Sequence, residues 1–217
     1  MISTRDLSRL PGVADLKRLL KALATLDVIM SLDNGGAYYS FQSRWGRNQQ
    51  VGQMHDGSGD EFHAYFNSHG CFLKGFAHES EMTPYRENPP KLWPGILDDV
   101  PREFNAALRE PAFSMGDTTF AIWRLNDDDR WSRGEIEFPN SPYGDGSEEL
   151  LSILDGNPAS YCEWAEEYYE TTVNADAVRH IYRGEPLTSE IVESLNSEAS
   201  LGRLHNCFVE IDYQVVK

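Results

Sequence analysis

Residues 38–80 read YYSFQSRWGRNQQVGQMHDGSGDEFHAYFNSHGCFLKGFAHES, a stretch rich in strand-forming aromatic residues and turn-forming glycines. Within it, Phe62, Ala64 and Phe66 alternate with more polar residues. Successive side chains of a strand point to opposite faces of a sheet, so this alternation predicts a strand with one buried face. DGSG at 56–59 is typical of a turn between strands. We therefore predict four consecutive antiparallel strands.

The dipeptide His69-Gly70 is predicted to form the turn after this strand, because glycine readily adopts positive φ. The apolar pairs in that register are Phe66–Leu73, Ala64–Gly75 and Phe62–Ala77. On the reverse face, Glu61 lies opposite His78, with His63 beside them. Two histidines and one carboxylate can bind iron or zinc. A metal-dependent enzyme on the central sheet is one functional hypothesis.

Other elements flank this meander. Apolar residues spaced three or four apart predict helices at 13–31, 96–109 and 159–173. Two further short helices are predicted at 176–182 and 188–195. Residues 33–36 are predicted to turn the chain into the first strand, and 118–138 to form a second hairpin with Trp123 opposite Arg133. The tail, 206–216, alternates and is predicted to be a last strand at a sheet edge.

These elements predict an α+β fold. It consists of an antiparallel sheet of about six strands, an N-terminal helix and a C-terminal group of short helices. Residues 1–217 are predicted to form a single domain, with an alternative division into a sheet part, 1–140, and an acidic helical part, 141–217.

The formal net charge of −16 narrows the range of partners. An acidic surface repels nucleic-acid backbones and anionic membranes, and it suits a basic protein partner. The most apolar run, 13–30, contains five charged residues, so no membrane span is predicted. The three cysteines are far apart and form no CxxC pair, which indicates free thiols and a cytoplasmic location.

Most of the net negative charge lies in the predicted C-terminal helical region. Between residues 145 and 198, 13 acidic residues face 2 arginines, a local charge of −11. Glu163, Glu166, Glu167 and Glu170 repeat along one side of the predicted helix at 159–173. This side is a candidate docking surface for a basic partner.

No phosphate-binding loop, dinucleotide fingerprint or nucleophile elbow occurs in the sequence, so no catalytic residue and no cofactor are predicted. The segments GSGDEF, KGFAHES, LWPG, TTFAIWR and DGSEELL resemble an uncharacterised type of bacterial cytosolic protein. In size, acidity and α+β composition the chain is similar to immunity proteins that neutralise secreted toxins, a likeness that assigns no residue a role.

The leading prediction is a non-catalytic, acidic protein-binding function of immunity or regulatory type. One alternative is the metal-dependent enzyme. Another is a structural homo-oligomer subunit that uses the C-terminal edge strand as its interface.

Overall fold

The computed structural model describes residues 1–32, 37–140 and 144–216. Its strands are β1 (Tyr39–Gly46), β2 (Gln49–His55), β3 (Glu61–Phe66), β4 (Gly70–Phe76), β5 (Phe120–Leu125) and β6 (Ser132–Arg133). Its α-helices are α1 (Val13–Ser31), α2 (Ser147–Leu150), α3 (Pro158–Tyr168), α4 (Ala175–Tyr182), α5 (Ser189–Leu195) and α6 (His205–Ile211). The predicted turn at 33–36 lies outside the described residues.

The six strands form one antiparallel sheet in chain order, β1 to β6. Helix α1 packs on one face of this sheet, and the C-terminal helices α4, α5 and α6 pack around α1. The larger apolar core therefore runs from Ile2 to Ile211 through both ends of the chain. The predicted α+β fold, with its N-terminal helix, six-stranded sheet and C-terminal helices, is confirmed.

Helix α1 spans the predicted residues, Val13–Ser31, and every residue from Ala22 to Met30 is buried. Such a helix needs partners all around it. Its last carbonyls also need hydrogen-bond donors, because no further helical turn supplies them. The side chain of Asn196 donates to the carbonyl oxygens of Ile29 and Met30, at 3.0 and 3.2 Å. The C-terminal region thus completes the N-terminal helix.

The predicted turn between β3 and β4 is wrong by one residue, and the register by two. The turn residues are Ser68 and His69, and Phe66 pairs with Cys71. The side-chain oxygen of Asn67 accepts hydrogen bonds from the backbone of His69 and Gly70, which closes the turn earlier. Since the shift is even, each side chain keeps its predicted face.

The reverse face of the sheet is covered by residues 77–118, which form turns and short 3₁₀ helices at Pro84–Arg86, Arg102–Phe104, Ala107–Arg109 and Pro111–Phe113. The predicted helix at 96–109 is wrong, because Pro101 disfavours helical backbone before it and lacks an N–H donor. Ile96 and Phe104 nevertheless bury their side chains in a second core under this face.

The second hairpin forms, but in a different register. Trp123 pairs with Ser132, not with Arg133. Asp128 sets the loop, because its carboxylate accepts from the backbone N–H of Leu125 at 2.9 Å. The guanidinium of Arg133 lies 5.0 Å from the ring centre of Phe138 instead of over the tryptophan.

The predicted C-terminal strand is wrong. Residues 205–211 form helix α6, since Leu204, Phe208 and Ile211 are buried at helical spacing. The tail keeps one isolated parallel bridge, between Leu187 and Val215. The strand that was the predicted interface of a homo-oligomer is therefore absent from the described residues.

None of the helices in the described parts of the chain is both long enough and apolar enough to span a membrane.

Candidate functional site

A groove opens where the start of β1 and the β2–β3 turn meet helices α2 and α3. It encloses about 460 Å³. Five carboxylates line it: Asp56, Asp60, Glu149, Glu163 and Glu167. Tyr38, Tyr39 and Trp164 supply its aromatic wall. We call this region the acidic groove.

The aromatic wall is a cluster of rings in mutual contact. The ring centre of Trp164 lies 4.9 Å from Tyr38, 5.1 Å from Tyr39 and 5.0 Å from Tyr168, and it stacks on Tyr168 at 14°. Since each ring is fixed by its neighbours, the wall is preorganised. Aromatic faces next to carboxylates form a typical environment for an organic cation.

The carboxylates of the acidic groove differ in whether they already accept hydrogen bonds or form ion pairs within the protein. The Asp56 carboxylate accepts three backbone hydrogen bonds in its own turn, from Ser58, Gly59 and Asp60. Asp60 lies 2.6 Å from the imidazole of His78. Within the described residues, the side chains of Glu149, Glu163 and Glu167 have neither a hydrogen bond nor an ion pair. These three glutamates are available to a ligand.

The groove also carries a strong negative potential. Among its described lining residues there is no lysine, arginine or histidine. The pKa of the Tyr38 hydroxyl is raised to about 12, mainly by burial and further by the negative charges of Asp56 and Glu149. A cation that enters would relieve repulsion among the carboxylates.

The structure separates the four predicted docking glutamates. Glu163 and Glu167 line the acidic groove, one helical turn apart. Glu166 instead accepts from the backbone N–H of Val173, seven residues further along the chain, at 3.1 Å. Glu170 lies past the helix, which ends at Tyr168 and not at the predicted residue 173.

A second polar group lies on the reverse face of the sheet. His55 pairs with Glu61 across β2 and β3, and His63 follows Glu61 by two residues on the same face. One ligand atom from each residue lies within 4.8 Å of the other two. We call these three residues the His–Glu cluster.

Lys74 forms an ion pair with the carboxylate of this cluster. Its fully buried ammonium lies 2.6 Å from Glu61 Oε1 and donates to the carbonyl of Asp117 at 2.8 Å. Burial lowers the pKa of Lys74. Burial alone would raise the pKa of Glu61, but hydrogen bonds from His55 and Lys74 outweigh it and hold that pKa at about 2.

His63 is almost fully buried, against the ring of Phe113 at 5.1 Å. Burial lowers its pKa to about 4, so the imidazole is neutral at pH 7. Its Nδ1 atom has no hydrogen-bond partner among the described residues. Buried polar atoms usually have a partner, so this one requires an explanation.

The predicted metal ligands are brought together only in part. Glu61 and His63 are neighbours, but His78 lies beyond the end of β4 and binds Asp60. The register shift explains this, because Phe76 takes the place opposite Glu61. The partner that the prediction missed, His55, could have been found by pairing β2 with β3 around the turn at 56–60.

The prediction missed three acidic residues of the groove. Asp56 and Asp60 lie at the β2–β3 turn, far from α3 in sequence, and Glu149 lies on the short helix α2, which precedes α3. Only tertiary packing brings them to Glu163.

Comparisons of the chain with protein-family models, with curated proteins and with solved structures find no significant match.

Proposed function

We propose that this chain is a non-catalytic binding protein of immunity or regulatory type, and that its acidic groove receives a lysine or arginine side chain from a basic protein partner. The observation that carries the proposal is the combination of five carboxylates with a fixed aromatic wall and no cation among the described lining residues.

The carboxylates and aromatic rings of the acidic groove suit the positively charged end of a lysine or arginine side chain. A lysine or arginine over Trp164 or Tyr38 would gain a cation–π interaction worth about 0.5–2 kcal/mol. The unpaired carboxylates of Glu163 and Glu167 could accept its N–H donors. The net charge of −16 would steer a basic partner toward the protein and speed association.

A cytoplasmic location belongs to the same proposal. It is supported by the absence of disulfides among the described cysteines, of which Cys71 is fully buried.

The test uses fluorescently labelled peptides of about ten residues, one rich in arginine and one in which glutamine replaces arginine, with binding followed by fluorescence anisotropy. We expect the arginine peptide to bind and the glutamine peptide not to bind. Binding should weaken as salt rises from about 0.01 M to about 1 M, because the Debye length falls from about 30 Å to about 3 Å.

A matched pair of variants separates the acidic groove from overall charge. Glu163→Gln with Glu167→Gln removes two charges in the groove, whereas Glu190→Gln with Glu193→Gln removes two exposed charges on α5. The groove variant should bind the arginine peptide about tenfold more weakly. The α5 variant should bind within about twofold of the wild type.

Equal weakening by both double variants would show that net charge, and not the groove, holds the peptide. Binding that does not respond to salt would also reject the proposal.

A further inference from the structure

We propose that His55, Glu61 and His63 bind a divalent transition-metal ion of the Zn²⁺ class. This site is separate from the acidic groove, so the inference does not depend on the proposed function. Imidazole nitrogen and carboxylate oxygen are the donor types that zinc and its neighbours prefer.

The spacing of the donor atoms suits one ion. Ligand atoms about 2.1 Å from a tetrahedral metal lie about 3.4 Å from one another. In the structure, Glu61 Oε2 lies 3.3 Å from His55 Nδ1, and Glu61 Oε1 lies 3.7 Å from His63 Nδ1. One ligand atom from each of the three residues also lies within 4.8 Å of the other two, so a single ion can reach all three once the side chains move closer together. Two adjacent strands hold them, which limits the conformational entropy lost on binding.

The buried Nδ1 atom of His63 supports this assignment independently. The side chain of His63 is 2% exposed, and the atom has no hydrogen-bond partner in the described parts of the chain. A polar atom removed from water without a hydrogen-bond partner destabilises the folded protein. A metal ion between His63 and Glu61 would supply the missing partner.

Access to the site comes from His55, whose side chain is 45% exposed. Three protein ligands also leave a coordination position for water or a substrate oxygen, as in catalytic zinc sites. The cluster is thus open on one side and buried on the other.

The positive charge of Lys74 would weaken the binding of a metal ion at this site. Its ammonium is 2.6 Å from Glu61 Oε1, so it competes for the carboxylate and repels a divalent cation. Replacement of Lys74 by methionine should therefore strengthen metal binding. If Glu61 serves only the ion pair with Lys74, the same variant should lose stability and gain no affinity for metal.

The experiment titrates Zn²⁺ into metal-free protein by calorimetry and repeats the titration with Co²⁺, whose visible absorption reports nitrogen and oxygen ligation. The wild type should bind one equivalent. His55→Ala, an exposed position that should not disturb folding, should weaken binding by about tenfold or more, and His63→Ala should do the same. His78→Ala is the matched control and should leave affinity unchanged.

Lys74→Met provides a second readout. It should bind Zn²⁺ more tightly than the wild type, and added Zn²⁺ should raise its thermal midpoint more. Wild-type protein without binding at about 1 mM Zn²⁺ would overturn the proposal. Equal Zn²⁺ affinity in His55→Ala and His78→Ala would also overturn it, because His55 would then contribute no more to binding than another surface histidine.

Discussion

Asp27 in helix α1 is a fully buried carboxyl, and its contribution to the free energy of unfolding should depend on pH. Its two oxygens accept from the Tyr169 hydroxyl at 2.6 Å and from the backbone N–H of Tyr38 at 3.0 Å. Burial raises the pKa of Asp27 from 3.8 to about 6, although these hydrogen bonds oppose the rise. The folded protein thus binds a proton that the unfolded chain releases near pH 4.

The sign and size of the effect follow from linkage. Between about pH 4 and pH 6 the unfolded state binds fewer protons at this residue, so the free energy of unfolding falls as pH rises. The pKa difference, at about 1.4 kcal/mol for each pH unit, amounts to about 3 kcal/mol. The stabilisation from Asp27 is complete below about pH 4 and lost above about pH 6.

Measurements on the wild type alone would not reveal the contribution of Asp27, because a second buried group has the opposite effect on the free energy of unfolding. Burial lowers the pKa of His63 to about 4, so that residue stabilises the protein as pH rises through nearly the same range. The measurement is therefore a difference: urea unfolding of the wild type and of Asp27→Asn at several values between pH 4 and pH 7, with a chelator present.

The free energy of unfolding of the wild type minus that of Asp27→Asn should fall by about 3 kcal/mol across this range. The matched control, Asp129→Asn, makes the same chemical change at an exposed site, and the Asp27→Asn difference should fall by about 3 kcal/mol more than the control does. If the Asp27→Asn difference stays constant within about 1 kcal/mol, the carboxyl titrates normally and the argument is wrong.

Three further outcomes are expected. Tyr169→Phe removes the hydroxyl donor to the buried aspartate and should lower the free energy of unfolding at pH 7 by about 1.5–3 kcal/mol in urea. Gly70→Ala places a methyl group 2.2 Å from a carbonyl oxygen of β5 and should destabilise by about 1–3 kcal/mol, whereas Gly116→Ala, which meets no atom within 4 Å, should not. Burial raises the pKa of the Cys71 thiol well above its usual range, so a thiol reagent should modify Cys162 in the folded protein and Cys71 only after unfolding.

Local periodicity was enough to predict much of the fold. Helix α1 and the strands of residues 38–80 formed where they were predicted, although the register between β3 and β4 differs by two residues. The prediction failed where two signals competed. The tail alternates like a strand, but Leu204, Phe208 and Ile211 also match a helix, and packing favoured the helix. At 96–109 the apolar spacing was helical, yet Pro101 prevented a continuous helix.

The sites were harder to predict, because they depend on pairing between segments. Alternation placed Glu61 and His63 on the correct face, but the residue opposite Glu61 depends on turn length. The backbone N–H of His69 donates to the side-chain oxygen of Asn67, which closes the turn earlier than predicted. As a result Phe76, and not His78, lies opposite Glu61. The acidic groove depends on packing between distant segments, which no local pattern encodes.

The capping of α1 by Asn196 has a consequence for synthesis in the cell. A ribosome makes Asn196 167 positions after Ile29, so α1 lacks these hydrogen-bond donors while the residues between them are synthesised. Its apolar residues face every side, and only later segments cover them. Nascent chains stalled before the C-terminal helices should therefore be substrates for ribosome-associated chaperones, whereas the sheet, whose strands pair in order of synthesis, can assemble as it emerges.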